Sequence, residues 1–120
     1  MLDAGLFDLV AAFRDLLERR KALLEHEIAP TGKSIEQRMD EILAELKEGE
    51  SRDFSALFEG QATRADMIVT FLAVLELVRL KRIKVYQRAL FGPIRVFRLV
   101  GPGEASPPLP VAEPRGAVET

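Results

Sequence analysis

The sequence contains no cysteine and a single histidine, His26. Without cysteine there is no disulfide framework and no thiolate zinc site, which fits a reducing compartment. A nucleophilic triad or an imidazole metal site would have to be built on His26 alone. That residue stands between Glu25 and Glu27 at a helix end, beside a Pro/Gly break. This is the place of a solvated side chain that the helix C-terminal dipole favours when charged. A Gly-rich phosphate loop is missing too, as are paired carboxylates in a plausible cleft. No enzymatic activity, catalytic residue, metal or cofactor is expected. Long apolar runs are also lacking. The strongest, from Met67 to Leu80, contains Thr70, Glu76 and Arg79 and is too short to span a bilayer. Leu2 to Phe13 is broken by Asp3 and Asp8 and has no basic leader, so it does not read as a signal peptide. The formal net charge of -2 argues against a globally basic nucleic-acid binder. A soluble cytoplasmic protein is expected, and 120 residues hold one modest domain with flanking segments.

Leu6, Leu9, Val10, Phe13, Leu16, Leu17, Leu23 and Leu24 recur at helical spacing, with Arg14, Asp15, Glu18, Arg19 and Glu25 opposite them. They predict an amphipathic helix over 5–25, ended by the break at 28–32. Its stripe must rest on the downstream domain or on another chain. Ser34 and Gln37 form a capping box. Behind it, Ile35, Met39, Ile42, Leu43 and Leu46 give a helix over 35–48, with Gly49 as its stop. Asp53 to Phe58 reads as a short helix capped by Asp53, and Thr63 caps a third helix running to about Lys81. The period then changes from helical to alternating. Residues 83–88 and 94–100 make two strands joined by a turn at Leu90–Pro93. Three helices followed by a hairpin is the order of a winged helix, so the fold expected is mainly α with a small β-hairpin. The expected organisation is an amphipathic helix and linker over 1–33, a winged-helix domain over 34–100, and a disordered tail over 101–120. The tail holds five prolines and almost no large apolar residues.

The third helix carries two apolar stripes. The wide one, with Met67, Ile68, Phe71, Leu72, Val74, Leu75 and Val78, is the expected core face. The second comprises Val69, Ala73, Leu77 and Leu80. Either the first helix or the wing covers that second stripe, or it faces a protein partner, as exposed apolar patches do. Seven Lys or Arg residues and no acid lie between Arg79 and Arg98, which suggests DNA at first sight. However, base reading needs donors on the outward face of the third helix, and Val69, Ala73 and Leu77 have none. A winged-helix DNA-binding regulator is therefore the alternative reading, and a self-associating scaffold built on the first helix a third. Glu76 and Arg79, one turn apart, read as a surface ion pair.

The run Thr63 to Leu77, then Gln87 and Phe91-Gly92-Pro93-Ile94, resembles the carboxy-terminal signature of the segregation and condensation protein A family, the bacterial kleisins. Phe71-Leu72-Ala73, Leu75-Glu76-Leu77, Gln87, Phe91, Gly92 and Ile94 match directly, and Val74 stands where Leu is commoner. The match covers about residues 34–99. The resemblance implies a non-catalytic subunit whose winged helix docks on the Smc ATPase head and whose middle region binds the ScpB dimer. DNA is met indirectly through the complex, at the nucleoid, and no membrane is involved. The family's amino-terminal helical domain has no counterpart here, so the chain looks like a carboxy-terminal fragment. From the wheel, the expected Smc-head contacts are Val69, Ala73, Leu77 and Leu80. Lys84, Tyr86, Arg95 and Phe97 on the hairpin complete the set.

Overall fold

The computed structural model describes residues 2–21, 32–47, 50–87, 89 and 92–99. His26, most of the 28–32 break, Gly49, Arg88, Phe91 and the 101–120 tail lie outside the described residues. A two-residue strand, β1 (Leu2–Asp3), leads into helix α1 (Leu6–Arg19). Gly5 starts that helix without a capping side chain, and Asp8 compensates by accepting from the Gly5 N–H at 2.8 Å. The expected helix thus spans 6–19 of its 5–25, and of the remainder residues 22–25 lie outside the described ones. Its stripe rests on the downstream domain, burying Leu9, Phe13 and Leu16.

Helix α2 (Ile35–Glu45) begins with the predicted capping box. Ser34 Oγ accepts from the Gln37 N–H at 3.0 Å, and Gln37 Oε1 accepts from the Ser34 N–H at 2.8 Å. The helix stops three residues earlier than expected because Leu46 already turns extended. The chain then forms a strand that the sequence reading did not contain, β2 (Ser51–Asp53). Its three residues are too few to show alternation. The 3-10 helix η1 (Phe54–Phe58) follows without a side-chain cap from Asp53. Asp53 instead accepts from Arg95 Nη1 at 2.8 Å, because it lies opposite Arg95 in the β2–β4 ladder.

Helix α3 (Arg64–Arg79) is capped by Thr63, whose Oγ1 accepts from the Asp66 N–H at 3.0 Å. It ends in a Schellman arrangement, with the Lys81 N–H on the Val78 carbonyl and the Arg82 N–H on the Leu77 carbonyl. Strands β3 (Ile83–Gln87) and β4 (Ile94–Arg98) form the hairpin. All pairings are antiparallel, and the sheet order is β1-β3-β4-β2. The sequence α2, β2, η1, α3, β3, β4 is that of a winged helix, so the expected fold class stands, with two short strands added at the sheet edges.

The core differs from expectation on α3. Met67, Phe71 and Val74 are buried as predicted, but so are Ala73 and Leu77, both fully. Ile68 and Leu72, assigned to the core, are each 40% exposed. The cause is Arg38. This arginine is 2% exposed and reaches from α2 to Thr70, whose Oγ1 accepts from its Nε at 2.9 Å. Its other nitrogens bond Glu41, Glu45 and the Leu57 carbonyl. With its hydroxyl satisfied, Thr70 can sit at the centre of the buried face. That turns Ala73 and Leu77 inward beside it and Ile68 and Leu72 outward. A wheel that scores Thr70 and Asp66 as polar cannot anticipate the rotation.

Candidate interaction surface

Alternation along the hairpin sends Ile83, Val85, Gln87, Ile94 and Val96 to the core. Lys84, Tyr86, Arg95 and Phe97 go to the outer face of the sheet. The register sets Lys84 opposite Phe97 and Tyr86 opposite Arg95. The diagonal pair Tyr86 and Phe97 meets edge to face with ring centroids 5.9 Å apart. Lys84 Nζ lies 5.4 Å from the Tyr86 ring centroid, within reach of a cation–π attraction. Arg95 donates to Asp53, and its Nη2 donates to Ser51 Oγ at 2.7 Å and to the Ser51 carbonyl at 3.2 Å. Its guanidinium thereby ties β4 to β2. Tyr86, Arg95 and Phe97 are half-buried and Lys84 is exposed. The result is an amphipathic patch whose rings are already fixed by one another.

The expected helix contacts fare differently. Ala73 and Leu77 have no exposed surface and cannot meet a partner while the domain is folded, which corrects that part of the expectation. Val69 is half-buried, and Leu80 remains 43% exposed. The exposed apolar residues of α3 that the wheel missed are Ile68 and Leu72.

The basic run is also less uniform than it reads. Arg79 pairs with Glu76 on the surface, as predicted, and this bond holds the Glu76 carboxyl below its ordinary range. Arg98 Nη1 donates to the carbonyls of Leu43 and Leu46 at 3.0 and 3.4 Å, satisfying the C-terminal end of α2. Arg95 is engaged as described. Arg79, Arg95 and Arg98 therefore serve the fold or a local pair, which weakens the case for a phosphate-binding hairpin. Among the described residues no group of His, Cys, Asp and Glu could hold a metal ion. No helix there is long and apolar enough to cross a membrane.

Several residues of the quoted motif are structural. Gln87 is buried and its Nε2 donates to the Gly92 carbonyl at 3.3 Å, closing the wing turn. A Cβ on Gly92 would come within 3.1 Å of the Ala89 carbonyl oxygen, which favours glycine there. With Phe71, Ala73, Leu77 and Ile94 in the core, this part of the motif reports the fold rather than a contact.

The family profile described as "Segregation and condensation protein ScpA" matches residues 1–99. Proteins named segregation and condensation protein A are similar to this chain. That of Xylella fastidiosa (strain Temecula1) is 37% identical over 89 residues, covering 74% of this chain and 30% of the relative. That of Clostridium acetobutylicum is 36% identical over 103 residues, covering 81% and 41%. That of Bacillus cereus (strain B4264) is 42% identical over 98 residues, covering 79% and 39%. The chain thus spans 30–41% of the length of these relatives.

Proposed function

The chain belongs to the segregation and condensation protein ScpA family, and we propose that it is the non-catalytic kleisin portion that docks on an Smc ATPase head. In this reading it serves chromosome condensation and segregation at the nucleoid, and ScpB binds through the region at or upstream of α1. DNA is engaged indirectly, through the assembled complex. The observation that carries the docking site is the outer sheet face. Tyr86 and Phe97 present apolar area on a rigid ladder, with Lys84 beside them as a charged rim. Aromatic side chains that lose little freedom on binding make efficient interface anchors. Leu80 and Val69 on α3 keep some accessible surface and remain in the proposed contact set.

Size-exclusion chromatography with the cognate Smc head tests this. Wild type should comigrate, and a Tyr86→Ala/Phe97→Ala variant that keeps its circular dichroism spectrum should not. A folded double variant that still comigrates removes the sheet face from the interface. Retention of wild type on mixed-sequence duplex DNA, without comigration with the head, would favour the regulator reading.

A further inference from the structure

Leu99 is still held to the sheet, its N–H donating to the Arg82 carbonyl at 2.9 Å. The chain therefore leaves the hairpin two residues past Phe97, at the end of the outer face where Lys84 and Phe97 stand opposite each other. Gly101-Pro102-Gly103 follows at once, and adjoining Gly-Pro and Pro-Gly steps mark a reversal of direction. Pro107 stands eight residues beyond Leu99, a reach of up to about 26 Å. Arg95, the cross-strand neighbour of Tyr86, stands four residues before Leu99, about 13 Å back along β4. Half of the available length thus brings the tail back over the Tyr86 and Phe97 rings.

The composition of the tail fits that place. In Pro107-Pro108-Leu109-Pro110 three of four residues have φ fixed near the polyproline II value. A polyproline II helix repeats every three residues, so Pro107 and Pro110 form one apolar ridge and Pro108 and Val111 the next. Segments with this spacing dock on surfaces lined by aromatic rings. Tyr86 and Phe97 supply such rings, edge to face with centroids 5.9 Å apart and both only half-buried. Glu104 and Glu113 flank the proline run, which matches the exposed Lys84 ammonium beside the Tyr86 ring. We propose that Pro107–Val111 folds back as a polyproline II segment onto the Tyr86–Phe97 face of its own chain. The contact needs little intrinsic affinity. A short tether holds the segment at an effective concentration of about millimolar, and its conformation is largely set beforehand. The tail thereby competes internally for this face. That regulatory consequence rests on the docking to an Smc head proposed above; the intramolecular contact does not.

Tyr86 is the chain's single tyrosine and there is no tryptophan, so tyrosine fluorescence reports on this face alone. The whole chain is compared with a whole-chain Pro107→Gly/Pro108→Gly/Pro110→Gly variant, which leaves residues 1–100 untouched. Wild type should differ from the variant in Tyr86 emission at every protein concentration. It should also show nuclear Overhauser contacts between the Tyr86 ring and the Pro107 and Pro110 Hδ protons. The variant should keep its circular dichroism spectrum and lose those contacts. It should bind the Smc head about threefold more tightly, as when the face is open in one wild-type molecule of three. Identical Tyr86 signals in the two chains would overturn the proposal. So would a difference that grows with protein concentration, which would put the tail on another copy. Equal affinity of the two chains for the head would overturn the competition. If neither chain comigrates with the head, the docking reading fails, and the Tyr86 signals alone decide the tail contact.

Discussion

The ring of Phe13 lies parallel to that of Phe71, with centroids 4.4 Å apart. One comes from α1 and the other from α3, so α1 is part of the domain core and not an independent arm. Phe58 and Phe54 complete the cluster, with Phe13–Phe58 and Phe54–Phe71 centroids at 5.4 and 6.4 Å. Arg20 fixes the same junction by donating from Nη1 to the Phe58 carbonyl at 2.8 Å.

Phe13→Ala should accordingly destabilise the whole domain. Large-to-small aromatic changes in a core cost about 3–5 kcal/mol, a large share of a small domain's stability. Urea unfolding followed by circular dichroism measures it. A loss below about 1 kcal/mol would show that α1 is peripheral. A double-mutant cycle with Phe71→Ala should return a non-zero coupling, since the rings are in contact.

Leu77→Glu should unfold the domain, whereas Leu72→Glu should leave it folded. Leu77 has no exposed surface and Leu72 is 40% exposed. A carboxylate forced into the first site has no partner and cannot keep its charge without a large penalty. At the second it reaches water. The far-ultraviolet spectra of the two variants at neutral pH decide the matter. The opposite pattern would restore the wheel's orientation of α3.

Much of this arrangement was legible in the sequence. The Ser34 box, the Thr63 cap, the Glu76–Arg79 pair and the change from helical to alternating period at Ile83 are local signals, and each appears where it was expected. The errors are non-local. β2 exists because Ser51–Asp53 finds β4 more than forty residues later, and three residues carry no periodic signal. The rotation of α3 depends on Arg38, which reads in the sequence as one more surface cation of α2. The candidate site divides in the same way. The outer positions of the hairpin follow from alternation alone. That Arg95 and Arg98 are engaged with Ser51, Asp53 and the end of α2 follows only from the tertiary packing.

Arg38→Met should lower stability without abolishing the fold. The methionine fills most of the apolar stem volume but leaves the Leu57 carbonyl and the Thr70 hydroxyl without their donor. A buried polar group stripped of its partner costs about 1–3 kcal/mol. For a domain of this size each kcal/mol shifts the thermal midpoint by roughly 4–8 °C. A variant melting with wild type would mean that the bonds from Arg38 contribute nothing net.

Glu41 supplies a pH test. Its carboxyl is held below its ordinary range chiefly by the hydrogen bond from Lys33 Nζ at 3.0 Å, assisted by Arg38. A carboxylate whose folded value is depressed stabilises the protein above the unfolded value and loses that contribution as pH falls through the folded one. Lys33→Gln should therefore raise the Glu41 titration midpoint, followed by carbon NMR of the carboxyl. It should also flatten the acid limb of the stability profile. The side chain is 39% exposed, so the effect should be small and should shrink in salt. An unmoved midpoint would contradict the assignment of Lys33 as the leading cause.

Lys81→Gly should stabilise the isolated chain. At φ 61° the lysine Cβ crowds its own backbone, a penalty of roughly 1 kcal/mol that glycine does not carry. Glycine also widens the unfolded ensemble, which returns about 0.5–1 kcal/mol to the unfolded side. The net gain should be a few tenths of a kcal/mol or slightly more, read as a higher urea midpoint with an unchanged slope. Lys81→Ala separates the two contributions. It removes the charge but keeps the strained Cβ, so it should show no such gain. If Lys81→Ala stabilised the chain as much as glycine, relief of charge repulsion around Arg79, Arg82 and Lys84 would be the cause. The left-handed position would then carry no penalty. If neither variant moved the midpoint, the turn would tolerate lysine freely.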